Sequence, residues 1–338
     1  MDRLGLGIAG CGDAAYSFAT AAAFLKDWKP VAAGGALTRE EERAFAEKHG
    51  MVVRTVEEMA ASRDIEVIAV ATPPGVHVKD ALIALAGGKH VIVEKPFALT
   101  LEDCDRMIEA AAKADRLIMV GQTMRYFAGM IRIRELIASG ELGRLLMIEE
   151  SAIINYFGPK RTGWQLDRSL SGGGVVLNPV IHLTDRLRYY AGSEVKSVRA
   201  NIGAAKKGLA IEGHVQVFYE FFEPGVSAAL TLYGYGKTTL DRTLIFLENG
   251  VIRSDFSDNR ITVYADGDVA RVERPDPMPF GPGRIISGYV QQLAEFRESI
   301  KKGAPHRSDG RNGRANVAVC LAILESAAKG KPVQPKTG

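Results

Sequence analysis

The chain has 338 residues, with 43 lysines and arginines against 40 aspartates and glutamates, a formal charge of +3. That balance excludes a nucleic-acid binder held by a broad basic face, which needs a clear cationic excess. A content of 46% hydrophobic and 25% charged residues excludes an intrinsically disordered chain. At roughly 150 residues per domain, the length suggests two domains.

Cys11, Cys104 and Cys320 are few, odd in number and far apart, which is neither a disulfide framework nor a zinc ribbon. They point to a reducing, cytoplasmic compartment. No uncharged apolar stretch reaches the ~18 residues of a membrane helix. The first residues run directly into a strand-like segment, so no signal peptide and no membrane partner are expected.

The first third alternates regularly. Leu4–Ala9 is an apolar run ending in Gly10-Cys11-Gly12, and a helical segment follows from Ala14 to Leu25. Val31–Leu37 is extended, Glu40–His49 helical, and Gly50 sits where a C-terminal cap belongs. Val67–Thr72 is a buried-strand run closed by Pro73-Pro74, and Val76–Ala86 is helical up to Gly87-Gly88. Val91–Val93 is a strand ending at Glu94-Lys95-Pro96. Thr100 with Asp103 resembles a capping box opening the helix Leu101–Ala114, and Leu117–Val120 is one more strand. Short apolar strands alternating with helices predict a parallel doubly wound sheet, a Rossmann-type α/β domain over residues 1–123.

From 124 to 338 the pattern is different. Met130–Ala138 is an amphipathic helix closed by Gly140, and Gly174–Tyr190 reads as another. Between about 195 and 265 strands follow one another without helices. His214–Phe221 is apolar at every second position, the period of a half-buried strand. Glu248-Asn249-Gly250 is a hairpin signal. Asp276–Gly283 is a loop, and helices at about Ile285–Lys301 and Arg314–Ala328 finish the chain. This half is predicted to be an α+β domain with a large, mostly antiparallel open sheet.

Four motifs carry chemistry. Gly10-Cys11-Gly12-Asp13-Ala14-Ala15 fits G-x-G-x-x-A between a strand and a helix. Gly10 permits the turn, Gly12 lets the backbone approach a pyrophosphate, and Ala15 allows close helix–sheet packing. Gly236-Lys237-Thr238 is no Walker loop, because the position that needs glycine is Thr231. The ribose reader is expected about 20 residues beyond the glycine turn. There the chain has Thr38-Arg39 and no carboxylate until Glu40. A hydroxyl beside a guanidinium suits the 2′-phosphate of NADP, with NAD kept open. The plainer reading makes Thr38 a helix cap and Arg39 a surface charge.

Glu94-Lys95-Pro96 lies at the carboxyl end of a parallel strand, where ligands bind. A lysine there can hydrogen-bond a carbinol or carbonyl oxygen, unless it is only a surface partner of Glu94. Gly172-Gly173-Gly174 precedes Asn178, His182 and Asp185. On one helix these three share a face, and histidine trades protons near neutrality. His182-x-x-Asp185 is also a metal-pair spacing, but none of the six histidines forms a second pair, so no metal is expected.

Together these motifs resemble the Gfo/Idh/MocA family of NAD(P)-dependent oxidoreductases nearly end to end. The likeness rests on Gly10-x-Gly12, Ala71-Thr72-Pro73 with His77, Glu94-Lys95-Pro96, and the triple glycine leading to His182 and Asp185. The closing Glu325-Ser326-Ala327 and Gly330-Lys331-Pro332-Val333 complete it. The resemblance implies a Rossmann domain and a second domain that binds substrate and joins subunits through its sheet, as a homodimer or homotetramer. It implies catalytic Lys95 and His182, and cofactor contacts from Thr72, Pro73, His77, Glu94 and Lys95. Many members carry an aspartate where this chain has Asn178, and a glycine where it has Val180. Asparagine cannot accept a proton, so proton transfer falls on His182, and Asn178 orients a substrate hydroxyl. The substrate implied is a sugar, a cyclitol or a derivative. Tyr156, Arg161, Trp164 and Arg168 are expected in the pocket wall, with Asp185 also a substrate candidate. Three other readings stand beside this one. One is a glycosidase-type hydrolase using NAD as a redox relay, another is a non-catalytic, cofactor-binding regulatory protein, and the third is a heme-degradation-type reductase on the same fold, disfavoured by the glycine–histidine motif.

Overall fold

The computed structural model describes residues 3–36, 38–159, 161, 163–204, 211–275 and 283–336. The predicted loop at 276–282 and the end of the predicted strand at 37 lie outside these residues. In chain order the first elements are β1 (Leu4–Ala9), α1 (Asp13–Phe24), β2 (Trp28–Gly34), α2 (Arg39–His49), β3 (Val52–Val53) and α3 (Val56–Ala61). Then come β4 (Val67–Val70), α4 (His77–Ala86), β5 (His90–Glu94), α5 (Leu101–Lys113) and β6 (Ile118–Gly121). After these follow α6 (Ala128–Ala138), β7 (Leu145–Asn155), α7 (Arg168–Ser171) and α8 (Ile181–Ala191). Seven strands come next: β8 (Val195–Ala204), β9 (Glu212–Phe221), β10 (Ser227–Tyr233), β11 (Tyr235–Leu247), β12 (Gly250–Asp255), β13 (Arg260–Ala265) and β14 (Asp268–Glu273). The chain closes with α9 (Arg284–Lys302) and α10 (Gly310–Lys329).

Two compact units result. The first takes the described parts of 1–126 and of 278–314, the second those of 127–277 and 315–338. The sequence pattern places a single boundary at 123/124; in the structure the chain returns to the first unit near its end. The reason lies in α9. Ile286, Tyr289, Val290, Leu293 and Phe296 recur at helical spacing and enter the core formed by Leu6, Ile8, Phe18, Ala22 and Trp28. Burying each large apolar side chain stabilises by about 1.5–3 kcal/mol, so the first unit is incomplete without this helix.

The first unit holds six parallel strands in the order β3-β2-β1-β4-β5-β6. β1 and β4 are buried at every residue, as strands covered on both faces must be. The reversal of strand order beside β1 opens a crevice at the carboxyl ends of β1 and β4.

The second unit holds eight strands in the order β14-β13-β12-β11-β7-β10-β9-β8, antiparallel except for the pair β7–β10. β9 alternates strictly, with Val215, Val217, Tyr219 and Phe221 buried and Phe218 exposed. α8 is tied to the buried face: the Thr184 and Tyr219 hydroxyls lie 3.0 Å apart. Arg186, 1% exposed, pairs with buried Glu150 and lies 2.7 Å from Asp241. The other face carries Met147, Phe218 and Tyr233 in the open. No helix among the described residues is long and apolar enough to cross a membrane.

Candidate active site

Gly10 ends β1 at φ 112°, a region that side chains rarely adopt. A Cβ there would stand 2.4 Å from the Ala71 carbonyl oxygen. Gly12 does something else. It begins α1 in extended backbone, and nothing lies within 4 Å of where its Cβ would be. That open space adjoins a helix N-terminus, whose first N–H groups have no intrahelical partner. Ala15 is fully buried beneath it. Room, unspent donors and close packing together fit the pyrophosphate of a nicotinamide dinucleotide.

At the end of β2, Thr38 caps α2 through a reciprocal box. Its hydroxyl accepts from the Glu41 N–H at 3.2 Å, and its own N–H donates to the Glu41 carboxylate at 3.0 Å. Arg39 is exposed and donates to Glu42 at 2.9 Å. The second Glu42 oxygen accepts from the Gly35 N–H at 2.9 Å. A carboxylate therefore does return to the β2 end, from one turn inside the next helix. Burial, then Glu42 and Glu41, push the Cys11 thiol up to about 11, so it stays protonated.

α4 secures the next two strand ends. Thr72 donates to Asp80 at 2.8 Å. His77 is 1% exposed, with Nε2 2.8 Å from the Thr72 carbonyl and Nδ1 3.0 Å from the Pro96 carbonyl. Two carbonyls invite an imidazolium, but burial pushes His77 down to about 4 despite those bonds. The nearby Lys95 charge acts in the same direction as burial. At neutral pH one nitrogen therefore donates, and packing holds the other contact. Pro73 is half-buried and starts a short 3-10 turn beside Thr72. The Lys95–Pro96 peptide is cis. Glu94 is buried, accepting from Tyr289 at 2.9 Å and from the Lys95 N–H at 3.1 Å, while Lys95 is half-buried.

In the second unit the triple glycine is clamped by Glu212. Its carboxylate accepts from the Gly174 N–H at 2.6 Å and pairs with Arg168 at 3.5 Å. A Cβ on Gly174 would meet the Glu212 carbonyl oxygen at 2.0 Å. Tyr156 donates to the Gly174 carbonyl at 3.1 Å and accepts from Asn178 at 3.4 Å, with Arg161 over its ring at 4.3 Å. Val176–Val180 forms a π turn with Pro179 inside, and α8 begins only at Ile181. His182 and Asn178 are both half-buried. No three or more His, Cys, Asp or Glu side chains form a metal-binding group among the described residues.

A family model described as "Oxidoreductase family, NAD-binding Rossmann fold" matches residues 4–122, and one for the GFO/IDH/MocA C-terminal domain matches residues 130–253. The chain belongs to the Gfo/Idh/MocA family of oxidoreductases. A 1,5-anhydro-D-fructose reductase of Ensifer adhaerens is 29% identical to this oxidoreductase, over 88% of this chain and 89% of its own. A myo-inositol 2-dehydrogenase of Thermotoga maritima is 25% identical over 87% and 84%. Among solved structures, a levoglucosan dehydrogenase in complex with NADH and levoglucosan shares the fold. Its TM-score is 0.90 at 21% identity, with 99% and 100% coverage.

Some site residues of this Gfo/Idh/MocA oxidoreductase stand elsewhere than the sequence pattern predicts. Asp185 does not share an open face with Asn178 and His182. The π turn holds Asn178 only, while Asp185, on α8 with His182 and 1% exposed, accepts from Asn316 at 2.6 Å inside the second unit. Tyr156 is buried under Arg161 and supports the glycine turn rather than standing open in a wall. His77 spends both ring nitrogens on protein carbonyls, so it shapes the strand ends instead of offering a free polar edge. Trp164 is half-buried in a short 3-10 turn, and Arg168 is exposed. Glu42, Glu212 and Tyr289 were not legible as site residues: each acts across 7 to 195 residues of chain.

Proposed function

We propose that this oxidoreductase interconverts a hydroxyl and a carbonyl on a sugar, a cyclitol or a derivative. The observation that carries this is Lys95. It is left half-buried at the carboxyl end of β5 while Glu94, Pro96 and Phe97 around it are buried. The named relatives act on compounds of this class. When bound, the nicotinamide supplies the two-electron donor or acceptor. Gly10, Gly12 and Ala15 accommodate its pyrophosphate, and Thr72 and Pro73 line its path. Lys95 holds the reacting oxygen and eases negative charge on it. His182 gives or takes the hydroxyl proton, and Asn178 orients a neighbouring hydroxyl through its amide. Arg161, Trp164 and Arg168 favour a polar or acidic sugar.

The preferred cofactor is NADP. The exposed Arg39 guanidinium and the lack of a carboxylate before Glu40 support this, and Glu42 is already committed to Arg39 and Gly35. The open face bearing Met147, Phe218 and Tyr233 supports self-association through the second sheet, which light scattering tests. A panel of sugars and cyclitols, each followed by nicotinamide absorbance, tests the reaction. Turnover with one of them that falls about 10²-fold or more in Lys95→Ala supports it. Full turnover in that variant rejects the assignment. Arg39→Ala should weaken NADP alone.

A further inference from the structure

Glu94 is 5% exposed, and burial raises its carboxyl above the ordinary range. Three features keep room and charge for it. Gly121 lies directly opposite in β6, and a Cβ there would come within 2.9 Å of the carboxyl. The Lys95 charge favours the ionised form. Tyr289 donates to it at 2.9 Å. Tyr289 itself is held from two further sides. Its ring meets Phe18 edge-on at 4.8 Å, and Thr123 faces its hydroxyl. Thr123 in turn donates to Gln292, whose amide donates to the Val120 carbonyl at 3.0 Å. The phenol stays protonated, because burial and then Glu94 raise it well above its ordinary value. A phenol that cannot ionise next to a buried carboxylate is a dedicated donor.

We propose that Tyr289 is a positioning residue for Lys95: it fixes Glu94 as the buried countercharge that keeps the Lys95 ammonium charged and directed. This rests on the reading of Lys95 given above. Without the phenol the carboxyl loses a donor in a low-dielectric site, and its ionised form is less favoured. Lys95 then faces a weaker, less firmly placed countercharge. Two further ionisable groups act on this trio among the described residues of the unit: His77 from α4, which feels the Lys95 charge and is neutral at working pH, and Asp13 from α1, whose charge is felt at Tyr289.

The test reads Lys95 directly. Trace amine labelling across pH, quantified on the Lys95 peptide by mass spectrometry, gives its titration midpoint without turnover. Glu94→Gln should lower that midpoint by about one unit, the low end of the effect of an adjacent opposite charge. Tyr289→Phe keeps the ring against Phe18 and should move the midpoint the same way, by less. The alkaline limb of kcat/KM should move with it. Midpoints unmoved in both variants, with intact folding by circular dichroism, overturn the proposal. So does lost activity in Tyr289→Phe at an unmoved midpoint, which marks a packing role only. Full turnover in Lys95→Ala would instead overturn the reading beneath it, whatever the midpoints show.

Discussion

Gly10 and Gly12 are two residues apart and should respond to alanine in opposite ways. At Gly10 the backbone sits at φ 112°, and the new Cβ would stand 2.4 Å from one backbone atom of Ala71 and 2.6 Å from another. Relief requires parting β1 from β4 where the Ala71 N–H donates to the Ala9 carbonyl at 2.7 Å. Backbone strain costs about 1–3 kcal/mol and overpacking about 1–3 kcal/mol. A loss of about 3 kcal/mol is therefore expected, a large share of the ~5–15 kcal/mol that holds a domain together. At Gly12 the φ of −85° suits any residue and the space is empty. Alanine there costs under about 1 kcal/mol, the weakness of alanine as an N-cap. Its methyl occupies the space assigned to the pyrophosphate, so nicotinamide binding should weaken while the fold stands. Urea titration by fluorescence reads the first unit if Trp164→Phe leaves Trp28, fully buried in that core, as the reporter. Calorimetric titration with NAD and NADP reads binding. A Gly10→Ala midpoint equal to wild type would refute the steric reasoning. Undiminished cofactor binding in Gly12→Ala would refute the phosphate turn.

Three further outcomes are expected. His90 is pushed down to about 4, mainly by burial and next by Arg116, so it is neutral in the fold and takes a proton more readily when unfolded. Its contribution is therefore intact above about 6.5 and lost as pH falls toward 4. His90→Asn keeps an acceptor for the Leu117 N–H, and urea midpoints should then fall less steeply across that window than in wild type. Arg186→Met leaves Glu150 buried without its cation and should destabilise the second unit by about 3–5 kcal/mol, with Glu150→Gln on top restoring much of it. An uncoupled, additive loss in denaturation would count against that pairing. His182→Asn should remove the ionisation near neutrality from the rate profile and leave calorimetric NAD binding unchanged; a profile that keeps this limb transfers the proton step to another group.

Local chemistry made much of the fold legible. The glycine turn, the Gly50 cap at φ 64°, the alternation of β9 and the two-residue turn at Glu248-Asn249 all depend on neighbours in sequence. β7 was not legible. Its adjacent Glu149 and Glu150 break any apolar period, and Glu150 is buried only because Arg186 and Thr243 reach it from elsewhere. β3, at two residues, is too short to show a pattern. The stretch at Val176–Val180 misled for a related reason: with Pro179 it forms a π turn, which alters the register that spacing assumes for Asn178, while Asp185 is buried where Asn316 reaches it from elsewhere in the sequence. In the candidate site, residue types at strand ends were readable. Their supports were not, because Glu42, Glu212 and Tyr289 are defined by contacts made after folding.

The late return of α9 bears on how the protein is made. A ribosome delivers β1 through β6 early, yet Phe18 lacks Tyr289, and Ala22 and Trp28 lack the rest of that helix, until residue 296 has emerged. At the usual ~5–20 residues per second, that leaves the nascent sheet with an uncovered apolar face for on the order of ten seconds or more. The end of β5 is in the same position, since Glu94 has no phenol until then. Chains stopped short of α9 should therefore bind chaperones and be cut readily by proteases. Adding 283–314 as a separate peptide should protect the stub made of residues 1–126, which gives quality control a way to distinguish finished from unfinished copies.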